Sequence, residues 1–216
     1  MKNHACIFDL DGVIVDTARY HYLAWKRVAN MLGFDFTEHQ NEMLKGVSRK
    51  DSLDIILNWG GATLTDSDKN QWLETKNNWY LEYVLNMDES AVLPGARAFL
   101  ETVLEAGYKT ALGSASKNAG KILDITNMRQ YFQALVDGNL TTRSKPDPQV
   151  FTMCADALGV PYQNAVVFED AEAGIEAALS AGMYAIGIGE AAQLPKAGFV
   201  IKNLAEMTLE RLTFNY

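Results

Sequence analysis

The chain has 216 residues, 48% hydrophobic and 21% charged, and a formal net charge of -8. That length buries a sizeable core as one large or two smaller domains. The acidity argues against general nucleic-acid binding and means that any phosphate ligand is held by local cations against the overall field. Cys6 and Cys154 sit inside apolar patterns without metal-type spacing, no apolar run reaches about 18 residues, and the N-terminus has no long apolar segment. These features point to a cytoplasmic chain with reduced thiols, no secretion and no membrane partner.

Ala5-Cys6-Ile7-Phe8 reads as a short buried strand that runs into Asp9-Leu10-Asp11-Gly12, where the glycine permits a sharp exit. Residues two apart in an extended segment share a face, so Asp9 and Asp11 project the same way from the strand's carboxyl end. Their repulsion is relieved by a cation or by protonation of one of them. The pair suits Mg2+ and a nucleophile working beside an acid/base. Taken alone, the fragment reads equally as a strand closed by an Asp-Gly turn.

From about Asp16 to Met87 the spacing is helical, through Leu23, Ala24, Val28, Met31 and Leu32, then Leu53, Ile56 and Leu57, then Trp72, Trp79, Tyr83 and Val84. This predicts an all-helical cap over residues 16–89, inserted after the first strand of an α/β core made of residues 1–15 and 90–216. An insert at the carboxyl end of a strand that carries chemistry is well placed to act as a lid.

After Leu93-Pro94-Gly95, strands are predicted at 110–114, 134–137, 165–169, 184–188 and 199–201. Between them lie helical faces at Phe99, Leu100, Val103 and Leu104, at Val150, Phe151, Cys154, Ala157 and Leu158, and from Gly174 to Ala181. Glycines 107, 159 and 182 stop these helices. Near-continuous apolar strands alternating with helices predict a doubly wound, Rossmann-like parallel sheet covered on both faces.

Three further clusters sit at predicted strand ends, the edge where open parallel sheets bind ligands. Ser114-Ala115-Ser116-Lys117-Asn118 reads as a helix-entry phosphate cradle or as a plain N-cap beside a solvated lysine. Lys145, before Pro146, reads as a cation for a phosphate and a carboxylate or as a loop lysine. Glu169-Asp170 reads as the completion of a metal shell begun by Asp9 or as a helix cap.

All four clusters, in this order and on one sheet, resemble the core motifs of the haloacid dehalogenase superfamily of aspartyl-phosphate enzymes. The resemblance narrows to the β-phosphoglucomutase family through the opening from Phe8 to Ile14 with Asp16-Thr17, His21 and Trp25. Leu44-Lys45-Gly46-Val47-Ser48-Arg49 with Asp51-Ser52-Leu53, then Ser114 to Asn118, and Glu169-Asp170 with Ala173-Gly174-Ile175 continue it.

That resemblance implies Asp9 as nucleophile, Asp11 as general acid/base, and Ser114 and Lys145 as a grip on the transferring phosphoryl group, with a cis Lys145-Pro146 bond aiming the lysine. It implies Mg2+ on Asp9, the Asp11 carbonyl and Asp170, with Glu169 beside or behind them. Arg49, Ser116, Lys117 and Asn118, next to Ala115, would hold a second, non-reacting phosphate. Bare residue statistics read Arg49 as a solvated helix-start cation. Lys45, Gly46, Val47 and Ser52 would approach the sugar. Thr17 and Trp25 would contact the substrate, and His21 and Lys76 would line the cap interior, with His21 steadying Asp11 and the tryptophans mostly packing.

The implied reaction is interconversion of β-D-glucose 1-phosphate and D-glucose 6-phosphate by a monomer, with β-glucose 1,6-bisphosphate as intermediate and activator. The alternatives are an Mg2+-dependent sugar-phosphate phosphatase of the same fold and a catalytically silent binding protein. None of the motif residues whose loss would suggest the latter is missing.

Overall fold

The computed structural model of the protein describes residues 3–214, so the outermost residues of the expected core, 1–2 and 215–216, lie outside the described residues. Six strands form one sheet: β1 Ala5–Phe8, β2 Lys109–Gly113, β3 Ala134–Val136, β4 Ala165–Glu169, β5 Tyr184–Ile188 and β6 Phe199–Ile201. Their order is β3-β2-β1-β4-β5-β6 and every pairing is parallel. The expected strands at 110–114 and 134–137 each end one residue earlier, leaving Ser114 and Asp137 just beyond the sheet.

Alternation along β1 sorts its side chains between two cores. Cys6 and Phe8 join helices α5 (Ala96–Glu105) and α6 (Ala119–Ile125) on one face. Ala5 and Ile7 join α7 (Gln149–Leu158) and α8 (Glu172–Ser180) on the other. Phe8 stacks on Phe168 of neighbouring β4 with ring centroids 4.7 Å apart, which locks the two central strands in register.

Between β1 and α5 the chain forms α1 (Ala18–Met31), α2 (Glu38–Glu42), α3 (Arg49–Gly60) and α4 (Asp66–Val84). Thr37, Ser48 and Thr65 cap α2, α3 and α4 with side-chain oxygens, and Gly61, at φ 62°, ends α3. The helices enclose their own apolar cluster, including Trp25, Val28, Phe36, Leu53 and Ile56. The outgoing and returning segments lie side by side, with Asp16 N–H donating to Ala91 O at 3.1 Å and Leu93 N–H to Ile14 O at 2.9 Å. Among the described residues, no helix is long and apolar enough to cross a membrane.

Candidate active site

The carboxyl ends of β2, β1 and β4 are adjacent in the sheet, and this brings the expected clusters together. Asp9 follows β1, and its N–H extends the ladder to Phe168 O at 3.0 Å. Lys145, from the loop before α7, places Nζ 2.5 Å from Asp9 Oδ1 and 2.7 Å from Glu169 Oε2. The Lys145-Pro146 peptide is cis. Ser114 N–H donates to Val136 O at 3.0 Å, and its Oγ accepts the Ser116 N–H at 3.0 Å. Ser116 Oγ in turn accepts the Asn118 N–H at 3.2 Å. The Ser-Lys-Asn segment is thus folded over the strand end.

Ligand oxygens of Asp9, Glu169 and Asp170 all lie within 4.8 Å of one another. Burial, and then the charge of Asp9, raises the Asp11 carboxyl to about 7 against the hydrogen bond from Thr17. Burial raises Glu169 to about 8 against the pull of Lys145, and Asp170 to about 6 against that of Lys45. For Lys145, the attraction of Asp9 and Glu169 overcomes the burial penalty and holds the ammonium charged.

Four carboxyl groups (Asp9, Asp11, Glu169 and Asp170) face two ammonium groups, Lys145 and Lys45, the latter 3.1 Å from Asp170. The surplus is negative and all-oxygen, a donor set that fits a hard divalent cation such as Mg2+. Glu169 is already engaged: Oε1 accepts the N–H groups of Asp170 and Ala171 at 3.2 and 3.1 Å, and Oε2 accepts from Lys145. Gly12, at φ 79°, is required here, because a Cβ at that position would overlap the Asp170 carboxylate.

Above this floor a cavity open to solvent lies between the helical segment and the sheet. It is lined by Asp9, Asp11, His21, Trp25, Lys45, Gly46, Val47, Arg49, Ser52, Lys76, Ala115, Ser116, Lys117, Asn118 and Asp170. Ser114, Lys145 and Glu169 are buried beneath it.

Two expected roles are corrected. Thr17 was expected to contact the substrate; it is fully buried at the start of α1 and donates its hydroxyl to Asp11 Oδ1, so it braces that carboxyl group instead. His21 was expected to steady Asp11; its Nδ1 instead lies 3.1 Å from Lys76 Nζ. That ammonium sits 4.8 and 4.7 Å from the centroids of the Trp25 and Tyr80 rings. Burial, and then the charge of Arg49, presses the Lys76 pKa well below the usual lysine range.

Asn41, Leu44 and Tyr80 also line the cavity, and Asn77 accepts from Asn118 Nδ2 at 3.0 Å. The sequence points to none of them as a site residue, although Leu44 opens the cap-loop motif. Tyr80 was findable, standing one helical turn after Lys76 on the same face. Asn77 carries no such signal.

A profile described as haloacid dehalogenase-like hydrolase matches residues 4–182. A β-phosphoglucomutase of Bacillus subtilis is 40% identical over 96% of this chain and 93% of its own length. A Thermotoga maritima protein named as a phosphorylated carbohydrates phosphatase is 32% identical over 83% of this chain and 82% of its own. The crystal structure of a Clostridium difficile β-phosphoglucomutase superposes with a TM-score of 0.93 at 39% identity, covering 96% of this chain and 94% of that one. With the acidic floor and the buried lysine in the motif positions, the chain belongs to the haloacid dehalogenase-like hydrolases and, within them, to the family of these β-phosphoglucomutase relatives.

Proposed function

We propose that the protein is a phosphomutase that interconverts β-D-glucose 1-phosphate and D-glucose 6-phosphate through a phosphorylated Asp9. The carrying observation is that one cavity holds both the Asp9/Asp11 pair and a separate cationic and polar set: Arg49, Ser116, Lys117 and Asn118. Among the described residues, neither Arg49 nor Lys117 is paired with a carboxylate. A sugar phosphatase needs only the first set, and a mutase must hold a second phosphate. Arg49 suits that task because its planar fork engages two phosphate oxygens at once.

The Asp9 carboxylate attacks phosphorus. Asp11, braced by Thr17, protonates the departing sugar oxygen and removes the proton from the attacking hydroxyl. Lys145 and Ser114 offset charge on the transferring group. Asp9, Asp170 and the Asp11 carbonyl would hold Mg2+, with Glu169 behind them. When bound, the ion neutralises charge at the phosphoryl oxygens. His21 Nε2, buried at the cavity wall without a hydrogen-bond partner, is available to a sugar hydroxyl.

The β-glucose 1,6-bisphosphate formed midway turns end for end and returns its other phosphate to Asp9. Residues 16–89 act as a cap that closes on the 1–15 and 90–216 core and excludes water. The enzyme works as a cytoplasmic monomer on hexose phosphates, without a nucleic-acid partner. Hydrolysis of sugar phosphates is the second reading, favoured by the Thermotoga relative.

Arg49→Ala distinguishes the two. Mutase turnover falls about 100-fold or more with loss of a charged phosphate contact, while simple phosphate release falls far less. Equal losses of both activities would overturn the distal-phosphate role. Asp9→Asn abolishes both.

A further inference from the structure

Three polar bridges join the helical segment to the sheet around the cavity. Lys45 Nζ meets Asp170 Oδ2 at 3.1 Å, Asn118 Nδ2 donates to Asn77 Oδ1 at 3.0 Å, and Ser144 Oγ donates to Asp51 Oδ2 at 2.6 Å. Lys45, Asp170 and Asn118 face the cavity, so bound substrate competes for a partner of each of the first two bridges. Ser144 and Asp51 do not line that cavity; they border an adjoining space that shares Arg49 and Lys117 with it. Of the three bridges, theirs alone leaves every substrate-facing group free.

The position of this bridge carries the inference. Asp51 lies in the first turn of α3, where its Oδ2 also accepts the Ser48 hydroxyl at 2.7 Å and its N–H donates to Ser48 Oγ at 3.3 Å. The carboxylate is therefore fixed before Ser144 reaches it. The same turn begins with Arg49, and Ser144 immediately precedes Lys145. A single charge-assisted hydrogen bond thus ties the turn that carries Arg49 to the loop that carries Lys145, across 93 residues of sequence.

We infer that Asp51 and Ser144 are positioning residues that latch the cap shut and so set the ratio of phosphoryl transfer to hydrolysis; this rests on the mutase reading. Phosphorylated Asp9 is an acyl phosphate. When the cavity is open, water oxygen bonds to phosphorus, the Asp9 oxygen–phosphorus bond breaks with its electron pair returning to the carboxylate, and the water proton passes through Asp11 to solvent. The products are inorganic phosphate and free Asp9. The rate of this loss scales with the fraction of time the cavity stands open. The Ser144–Asp51 bond is exposed, so water competes for both partners. Its net worth is small enough to break in each turnover and large enough to shift the closed population about tenfold.

The test follows β-glucose 1-phosphate with Mg2+ and a trace of the bisphosphate in the full chain, reading free phosphate per glucose 6-phosphate formed. Ser144→Ala spares the Ser48–Asp51 cap and raises that ratio about tenfold, while the melting temperature falls by no more than about 5 °C. Ser144→Thr, which keeps the hydroxyl, restores the wild-type ratio. Asp51→Ala raises the ratio as well, and adding it to Ser144→Ala gives no further rise, as one shared bond requires. A wild-type ratio in Ser144→Ala, or additive rises in the double variant, would overturn the latch and leave the mutase reading standing. Wild-type protein that yields mainly free phosphate would overturn the mutase reading and the latch with it.

Discussion

Lys145 Nζ and Asp9 Oδ1 lie 2.5 Å apart, both buried, although 136 residues separate them in the chain. The same ammonium reaches Glu169 at 2.7 Å and stands 4.8 Å from the centroid of the Phe151 ring. One cation therefore holds two carboxylates that would otherwise repel each other in a dry site. Lys145→Met removes it and leaves both acids uncompensated. The variant is expected to lose roughly 3–5 kcal/mol in a denaturant titration and at least about 1,000-fold in kcat. A variant within about 1 kcal/mol of wild type would show that the lysine does not balance this floor.

Gly12 is a second sensitive point, because its φ of 79° and its contact with Asp170 act together. Gly12→Ala is expected to cost roughly 2–4 kcal/mol and to displace the Asp170 carboxylate, raising the Mg2+ concentration for half-maximal activity at least about tenfold. Gly33→Ala is the control: its φ is 91°, with nothing within 4 Å of an added Cβ, so it shows the backbone cost alone and leaves the Mg2+ response unchanged. Equal Mg2+ responses in the two variants would mean that Asp170 is not held by this approach.

Lys76 carries a stability cost that depends on pH. Burial, then the charge of Arg49, lowers its folded-state pKa, so the unfolded chain binds this proton more readily. Between the lowered folded value and the ordinary unfolded lysine value near 10.4, the unfolded state holds more protons, and this group's contribution to stability rises with pH. Below that window the full penalty applies. Lys76→Met should therefore stabilise the protein at neutral pH by roughly 1–4 kcal/mol, with the gain shrinking as pH rises toward the unfolded lysine value. Mutase turnover should fall, since Lys76 lines the cavity. Thermal melts of both proteins across pH check this, and a gain independent of pH would contradict it.

Much of the fold was legible because parallel strands buried on both faces leave near-continuous apolar runs, as in Ala165–Glu169 and Tyr184–Ile188. Asp9, Ser114 and Glu169-Asp170 were legible as neighbours because adjacent strand ends converge in such sheets, whereas Lys145 reaches them from the loop before α7 and was legible only through the family resemblance. Short α2 was passed over, although Thr37 and Gln40 form the capping box that marks a helix start. The cross-chain partners were not legible. Nothing in the local pattern of Thr17 says that its hydroxyl meets Asp11, and nothing near Asp51 names Ser144. Such pairings depend on how the helical segment seats on the sheet, which hydrophobic periodicity does not encode.

The most direct test of the central claim is a product balance on the wild-type protein, supplied with β-glucose 1-phosphate, Mg2+ and a trace of β-glucose 1,6-bisphosphate. Glucose 6-phosphate and free phosphate are measured in the same reaction. A site that holds a second phosphate through Arg49 and Lys117 predicts glucose 6-phosphate as the dominant product, in near-stoichiometric yield. Dominant release of free phosphate would contradict the mutase account and identify the protein as a sugar-phosphate phosphatase.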